Sequence, residues 1–228
     1  MCNNVLVENK LKELGATLVG FADLSEIDTD ARKGYRYGVS IAIALNPSIV
    51  SEIPTGPHLE YYHEMENVSK KLKELSEFTE KFIIANGYDA FSQASIKQSE
   101  GYRTPLPHKT IATRAGLGWI GKSATLVTEK YGNAIRINSV LTDMPFKTGT
   151  PINHSKCGNC HECVDRCPGK AVQGVNWDVN TERDSLLNAF SCKAEVIRRG
   201  VPFGLTHGTC GMCIAVCRYT QRYIRNNQ

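Results

Sequence analysis

The carboxy-terminal third of the chain contains Cys157-Gly-Asn-Cys160-His-Glu-Cys163-Val-Asp-Arg-Cys167-Pro168. This C-x2-C-x2-C-x3-C-P spacing is typical of bacterial ferredoxins, in which three cysteines bind one 4Fe–4S cluster and the fourth binds a neighbouring cluster. One such run therefore predicts two clusters and a second group of cysteines elsewhere in the sequence.

The second group consists of Cys192 and the run Cys210-Gly-Met-Cys213-Ile-Ala-Val-Cys217, which repeats the gaps of two and three residues. By this pseudo-symmetry, cluster one is assigned to Cys157, Cys160, Cys163 and Cys217. Cluster two is assigned to Cys167, Cys192, Cys210 and Cys213. Eight of the nine cysteines are then used, and Cys2 is left as a free thiol without an assigned role.

Structural zinc at the CxxC pairs and disulfide bonds are the two alternative uses of these cysteines. Tetrahedral zinc needs only four thiolates per site and does not account for a fourth cysteine followed by Pro168. An odd number of cysteines in a chain without a secretory signal argues against a disulfide framework. The spacing therefore favours iron–sulfur clusters over both alternatives.

The length and composition are those of a globular protein. With 228 residues, the chain is long enough for one sizeable core and a small second domain. The amino terminus mixes acids, bases and amides, and the longest apolar run, from Val39 to Leu45, is too short to span a bilayer. We therefore expect a cytoplasmic protein without membrane contact. A formal charge of +4 does not by itself predict a nucleic-acid partner.

Hydrophobic periodicity predicts alternating helices and strands in the first two thirds of the chain. The predicted elements are helices over 4–14, 60–85 and 108–115, and strands over 17–21, 40–45, 88–93, 124–128 and 135–141. Prolines and a glycine between 47 and 57 predict a loop, and a turn at 131–133 predicts that the last two strands form a hairpin. The predicted fold class is therefore α/β (α+β), with a layered α/β domain over 1–150 and a small bacterial-ferredoxin-like domain with two 4Fe–4S clusters over 151–228.

A glycine-rich segment, Gly116-Leu-Gly118-Trp119-Ile-Gly121, is followed directly by Lys122. GxGxxG is the dinucleotide-binding fingerprint, but here it follows a predicted helix and precedes a strand, whereas the fingerprint requires a strand, a turn and a helix. The glycines permit close approach of the backbone to a flat or bulky ligand, and Lys122 can meet a carboxylate, an amide or a phosphate. The alternative is a tight connection packed under Trp119.

The tail Arg218-Tyr-Thr-Gln-Arg-Tyr-Ile-Arg225 alternates basic and aromatic residues. Such a pattern occurs where proteins contact RNA. It is equally that of a solvated terminal helix, which is the simpler interpretation.

The block AGLGWIGKSATLVTEKYGNAIRINSVLTDMPF, from Ala115 to Phe146, together with the two cysteine groups that follow it, resembles the epoxyqueuosine reductase family. The likeness extends upstream to Tyr62 and His63 and covers most of the chain. The resemblance implies an α/β cobalamin-binding reductase domain related to that of the reductive dehalogenases. It also implies that two 4Fe–4S clusters accompany a cobalamin held base-off beside the nearer cluster.

The resemblance further implies that the clusters reduce the cobalamin, which attacks an organic substrate while a protein acid supplies a proton. Family members carry an aspartate proton donor shortly before the AGLGW block, and alignment by eye places Tyr102 at that position. A neighbouring cation would favour the phenolate after proton transfer. The predicted catalytic residues are therefore Tyr102 and Lys109, and the predicted cofactor-binding residues are Arg103, His108, Gly116, Gly118, Trp119, Gly121 and Lys122.

Two features depart from the family pattern. Tyr102 stands in place of the aspartate, and the chain ends eleven residues after Cys217, so we expect a short form without the helical tRNA-binding extension. The expected substrate is a small molecule or a modified nucleoside, with tRNA left open, and the expected electron donor is a low-potential ferredoxin or flavodoxin. The alternative function is a ferredoxin-like electron carrier, or a partner-docking protein, without its own cobalamin.

Overall fold

The computed structural model of the protein describes residues 3–56, 58–96, 99–205 and 210–228. The α-helices are α1 (Asn3–Glu13), α2 (Pro47–Glu52), α3 (Leu59–Ala85), α4 (His108–Arg114), α5 (Glu162–Asp165), α6 (Arg183–Leu186), α7 (Ala189–Gly200), α8 (Met212–Ala215) and α9 (Arg218–Arg225). The strands are β1 (Leu18–Asp23), β2 (Tyr37–Ala44), β3 (Ala90–Ser92), β4 (Trp119–Ile120), β5 (Leu126–Val127) and β6 (Ile135–Thr142). The predicted mixture of helices and strands is confirmed.

The chain divides into two compact units, each built from separate segments. Unit 1 contains the residues up to Ile43 together with Val68–Gly118 and Arg136–Ile152. Unit 2 contains Ala44–Asn67, Trp119–Ile135 and Asn153–Gln228. The chain leaves unit 1 for the last time between Ile152 and Asn153. Unit 2, however, also includes two earlier segments.

A four-stranded sheet in the order β1-β2-β6-β3 forms the framework of unit 1. β1 and β2 are antiparallel, with Leu18 opposite Ala42, and β3 and β6 are antiparallel, with Ala90 opposite Thr142. β6 lies between two other strands and is buried over most of its length. A strand covered in this way is expected to be apolar on nearly every residue. β2 follows this pattern, whereas β6 also carries Arg136, Asn138, Ser139 and Thr142.

Helix α4 packs its apolar residues against the core of unit 1. Ile111 and Ala115 lie in one cluster with Ala22, Leu24 and Leu141, all of which are buried. The helix begins directly after Pro107, which occupies the N-cap position. This packing holds α4 against the sheet, and the first two residues of α4 are the predicted site residues His108 and Lys109.

The long predicted helix over 60–85 is confirmed as α3. In unit 1 its buried face includes Val68, Leu72 and Leu75, at the spacing expected of an amphipathic helix. None of the described helices combines the length and the apolar character needed to cross a membrane.

Two of the local predictions were wrong. The proposed loop over 47–57 contains helix α2, which begins with Pro47 after the N-cap Asn46, whose side chain accepts a hydrogen bond from the backbone N–H of Ser48. This is a favourable helix start, since proline is tolerated in the first turn and asparagine is a good N-cap.

The predicted hairpin between 124–128 and 135–141 does not form. β5 instead pairs with β4, which lies inside the glycine-rich segment, and β6 pairs with β3. The reason is that β6 completes the four-stranded sheet through pairing partners distant in sequence, which a local turn signal does not reveal.

Candidate metal and cofactor site

Two short helices in unit 2 present the cysteines of the two sequence groups in the same way. Cys163 is the second residue of α5, and Cys213 is the second residue of α8. Two residues after each helix ends, the chain reaches Cys167 and Cys217. The backbone N–H of each of these cysteines donates to the carbonyl three residues earlier, at 3.3 Å. The repeat in cysteine spacing is therefore also a repeat of backbone structure.

The four cysteines assigned to cluster one surround a single cavity in unit 2. The cavity is lined by Gly121, Lys122, Ser123, Val127, Asn133, Cys157, Cys160, Glu162, Cys163, Cys213, Cys217, Arg218 and Tyr219. Cys217 therefore lies beside the first cysteine run, although it follows the second in sequence. Cys213, which is assigned to cluster two, lines the same cavity.

Repulsion between neighbouring thiolates indicates which cysteines lie close together. The pKa of Cys163 is raised to about 12, first by burial and then by the other three thiols of its set. The pKa of Cys192 is raised by burial and then by Cys210 and Cys167, which belong to the second set. Buried thiols of this kind lose their protons readily only when a cation stabilises the thiolates, as in a metal site.

The donor chemistry fits iron–sulfur clusters. All eight cysteines of the two sets are free thiols. Within the described ranges, no group of three or more His, Cys, Asp or Glu side chains is arranged to hold one metal ion. Four thiols around a cavity suit a cubane cluster. Cys2 lies outside the described residues.

Two groups beside the thiols are suited to stabilise the negative charge of a cluster. The backbone N–H of Ala171 donates to Sγ of Cys167 at 3.2 Å. Lys122 lines the cluster-one cavity and is only 3% exposed. Hydrogen bonds to cysteine sulfur and nearby charges both influence cluster reduction potentials. The structure thus adds a role for Lys122 that the sequence analysis missed.

A buried hydrogen-bond network holds helix α9 against the turn before β6. The Thr220 hydroxyl donates to Oδ1 of Asn133 at 2.9 Å and accepts from the Asn133 backbone N–H at 3.1 Å. The Asn133 side-chain amide donates to the carbonyl of Cys213 at 3.2 Å and to the Thr125 hydroxyl at 2.9 Å. Asn133 therefore connects the cysteine loop, the turn and α9. No local sequence pattern indicated this function.

The glycines of the predicted cofactor segment have structural reasons to be glycine. Gly116 has a φ of +73°, and a Cβ atom there would lie 2.7 Å from the carbonyl oxygen of Thr150. A Cβ on Gly121 would lie 2.8 Å from Cγ2 of Val127 and 3.5 Å from Sγ of Cys157. Gly121 thus permits the segment to approach the cluster-one cysteines. Gly118 is the last residue of this segment in unit 1.

Trp119 is fully buried in unit 2. Its ring packs edge-on against Tyr219, with ring centroids 4.9 Å apart, and Nζ of Lys156 lies 5.3 Å from the Trp119 ring centroid. The indole Nε1 is buried, and no described residue accepts a hydrogen bond from it. A buried N–H normally has a partner, so this donor is available to an acceptor group of a ligand.

The other predicted site residues lie in unit 1. Tyr102 ends a short 3-10 turn, has a φ of +58° and is 42% exposed. Arg103 follows it, and its carbonyl accepts a hydrogen bond from the backbone N–H of Ser99 at 2.8 Å. Lys109 is the second residue of α4. The unusual left-handed conformation of a tyrosine is a feature that occurs more often at functional sites.

His108, the first residue of α4, is held by a buried polar chain in unit 1. The Ser139 hydroxyl donates to Oε1 of Gln93 at 2.6 Å, so it accepts from Nδ1–H of His108 at 2.7 Å. Gln93 and Ser139 are buried. This arrangement fixes the tautomer with the proton on Nδ1. Burial, followed by the charge of Arg136, lowers the pKa of His108 to about 4.

The lowered pKa predicts a specific pH dependence of stability. The unfolded chain takes up a proton near pH 6.5 and the folded chain only near pH 4, so stability is complete at neutral pH and falls as the pH drops through this window. At pH 5 the expected loss is about 2 kcal/mol. His108→Asn keeps a donor for Ser139 without a titrating ring and should lose less stability. Urea unfolding of both proteins at pH 7 and pH 5 measures the difference, and equal losses would contradict the assignment.

Comparisons with known proteins give sequence and structural relatives. No protein-family model matches the chain. An epoxyqueuosine reductase of Lactococcus garvieae (strain Lg2) is 31% identical over 171 residues, which cover 71% of this chain and 42% of the relative. The chain therefore matches less than half of that protein.

Two solved structures share the fold. One is an epoxyqueuosine reductase crystallised with an epoxyqueuosine-modified tRNA stem loop, with a TM-score of 0.61, 20% identity and coverage of 95% of this chain and 64% of the other. The second is a catabolic reductive dehalogenase, with a TM-score of 0.71, 17% identity and coverage of 96% and 32%.

Proposed function

Since the chain is homologous to the epoxyqueuosine reductases, we propose that it is an oxidoreductase in which two 4Fe–4S clusters pass electrons to a base-off cobalamin that reduces an organic substrate. Cluster one is held by Cys157, Cys160, Cys163 and Cys217, and cluster two by Cys167, Cys192, Cys210 and Cys213. Both sets lie in unit 2.

The cavity surrounded by the cluster-one cysteines is the observation that carries this proposal. It brings Cys217 to the first cysteine run, as the interlocked ligand pattern of two-cluster ferredoxins requires. Each cluster passes one electron at a time, whereas reductive cleavage of a carbon–oxygen or carbon–halogen bond consumes two. Two clusters feeding one further redox centre match this demand.

The residues proposed to bind the cobalamin are those predicted from the sequence: Arg103, His108, Gly116, Gly118, Trp119, Gly121 and Lys122. The buried Nε1 of Trp119, for which no described residue is an acceptor, fits a cofactor rich in amide carbonyls. Bound cobalamin supplies the bond-breaking chemistry, and the protein supplies orientation and protons. Tyr102 holds the transferable proton at its phenol oxygen, and Lys109 favours the phenolate that remains.

The proposed substrate is a modified nucleoside or a related small molecule, and the proposed electron donor is a low-potential ferredoxin or flavodoxin. A solved epoxyqueuosine reductase was crystallised with a modified tRNA stem loop, which supports a nucleoside. Tyr102 stands in place of the aspartate expected from the family, so the proposed proton donor is a phenol where family members have a carboxylic acid.

Retention of cobalamin tests the proposal. Protein purified without oxygen and incubated with hydroxocobalamin should keep corrinoid absorbance after gel filtration. Tyr102→Phe should retain the corrinoid equally well, because this variant removes only the phenolic hydroxyl and keeps the ring. It should lose turnover of epoxyqueuosine-containing tRNA or of the free nucleoside. A protein with intact clusters that releases all corrinoid would be the electron carrier considered as the alternative function.

A further inference from the structure

The structure of unit 2 presents an ordered basic patch beside the cluster-one cavity, which we call the α9 patch and define by Lys156, Arg218, Tyr219, Arg222 and Glu129. We propose that the α9 patch is the docking surface for an acidic one-electron donor protein that reduces cluster one. The inference rests on the proposed function, since it requires that cluster to be present.

The patch side chains are held in place by one another. The guanidinium groups of Arg218 and Arg222 lie 5.0 Å and 5.2 Å from the centroid of the Tyr219 ring. Arg218 also donates to the carbonyl of Lys156 at 2.8 Å. Cation–π contacts and hydrogen bonds of this kind restrict long side chains before a partner arrives. A partner therefore loses less conformational entropy on binding than it would at a mobile basic surface.

The patch is exposed and keeps a positive charge. Lys156 and Arg222 are each 49% exposed at the side chain, and Arg218 is exposed as well. Glu129 forms ion pairs with Lys156 at 2.9 Å and with Arg222 at 3.5 Å. Within the patch, one carboxylate thus pairs with two of the three cations, so these four side chains keep a net positive charge. Glu162 is a second carboxylate, which lines the adjoining cavity. A positive surface attracts an acidic partner, and arginines are frequent anchors of protein interfaces.

The position of the patch connects it to electron transfer. Arg218 and Tyr219 line the same cavity as the cluster-one cysteines, and Arg218 directly follows Cys217. Arg218 also interacts electrostatically with Cys157 and Cys160. A protein bound to the α9 patch therefore lies beside the thiols that would hold cluster one.

An RNA partner fits the same surface less well. RNA-binding proteins use exposed aromatic faces on which bases stack. Here guanidinium groups already lie over the Tyr219 ring, and Trp119 is fully buried. The patch therefore offers charge without a stacking platform, which is suited to the acidic surface of a folded protein.

Charge reversal tests the inference by stopped-flow measurement of cluster reduction without oxygen. The probe is a reduced acidic flavodoxin, and the variants are Arg222→Glu and Arg222→Gln, since Arg222 belongs to the patch but does not line the cluster-one cavity. Reduction by flavodoxin should slow about tenfold or more and should lose most of its dependence on salt. Photoreduction by a deazaflavin, which needs no docking, should proceed as in the wild type. Lys81→Glu, on an exposed residue of α3 in unit 1, should reduce at the wild-type rate.

Several outcomes would overturn the inference. Unchanged flavodoxin kinetics in both arginine variants would do so, as would an equal slowing in Lys81→Glu. If the arginine variants lose binding to a tRNA anticodon stem loop but keep wild-type flavodoxin kinetics, the patch is an RNA-binding surface instead. Iron analysis and corrinoid retention identify which idea has failed. If the wild-type protein contains no clusters, both the proposed function and the docking surface are contradicted. If the clusters are intact, corrinoid is bound and the arginine variants show wild-type donor kinetics, only the docking surface is contradicted.

Discussion

Replacement of Cys217 by alanine should remove the same cluster as replacement of Cys157, although the two cysteines lie 60 residues apart in the sequence. The wild-type protein prepared without oxygen should contain about eight iron and eight sulfide atoms per chain, and each of these variants about four. The physical reason is that both thiols line one cavity, so either loss leaves cluster one without its fourth ligand. Iron and sulfide analysis, with electron paramagnetic resonance of the reduced proteins, measures the result.

The matched control is Cys192→Ala, which should remove the other cluster and leave a different resonance signal. Cys192 interacts with Cys210 and Cys167 of the second set. The assignment fails if Cys217→Ala gives the spectrum of Cys192→Ala rather than that of Cys157→Ala. Tetrahedral zinc in the wild-type protein, or about four atoms each of iron and sulfide, would also contradict two clusters.

Loss of the clusters should also reduce the stability of unit 2. Metal binding contributes folding free energy when the ligands come from segments distant in sequence. The segment Asn153–Gln228 should therefore become sensitive to proteases in iron-free protein.

Replacement of Gly132 by alanine is expected to cause a large loss of stability, about 3 kcal/mol or more. Gly132 has a φ of +58°, which disfavours a residue with a side chain. In addition, a Cβ atom there would overlap the backbone nitrogen and the hydroxyl of Thr220 and would lie 2.6 Å from its Cα. Thr220 is fully buried and bonded to Asn133. It belongs to a packed helix, so it has little room to move.

Helix α9 begins directly after Cys217. Displacement of α9 should therefore also disturb the position of that cysteine. We therefore expect Gly132→Ala to lower both the midpoint of urea unfolding and the iron content. Gly204→Ala is the matched control. Gly204 lies outside the two cysteine runs and also has a positive φ, +69°, but no atom lies within 4 Å of the position of its Cβ. Its expected cost is only the backbone strain of about 1 kcal/mol. Similar losses in the two variants would show that the contact with Thr220 is unimportant.

Much of the fold was predictable because its signals are local. The periodicity of apolar residues located α3, and an apolar run located β2. Helix α2 was missed although its start carries recognisable signals in Asn46 and Pro47. Prolines usually interrupt a helix, but Pro47 lies in the first turn of α2, where proline is tolerated.

The cysteine ligands of the site were predictable from the sequence, whereas the residues around them were not. Cysteine spacing is a local property that reflects ligand geometry, so the two sets of cysteines were proposed without a structure. The contributions of Lys122 and Asn133 were not foreseen. Both lie in unit 2 beside the cluster-one cavity, and the contacts of Asn133 reach α9 and the cysteine loop.

The order of residues along the chain was enough to determine a mixed α/β fold, a resemblance to the epoxyqueuosine reductases and the thiol chemistry of the last third. Those conclusions depend on short-range periodicity and on the gaps between cysteines. Pairing of β6 with β3, burial of Lys122 beside the thiols and the fit of Gly132 against Thr220 depend on segments that meet only after folding. Such contacts are settled by packing and by the need to satisfy buried polar groups across the whole unit, so no single stretch of sequence specifies them.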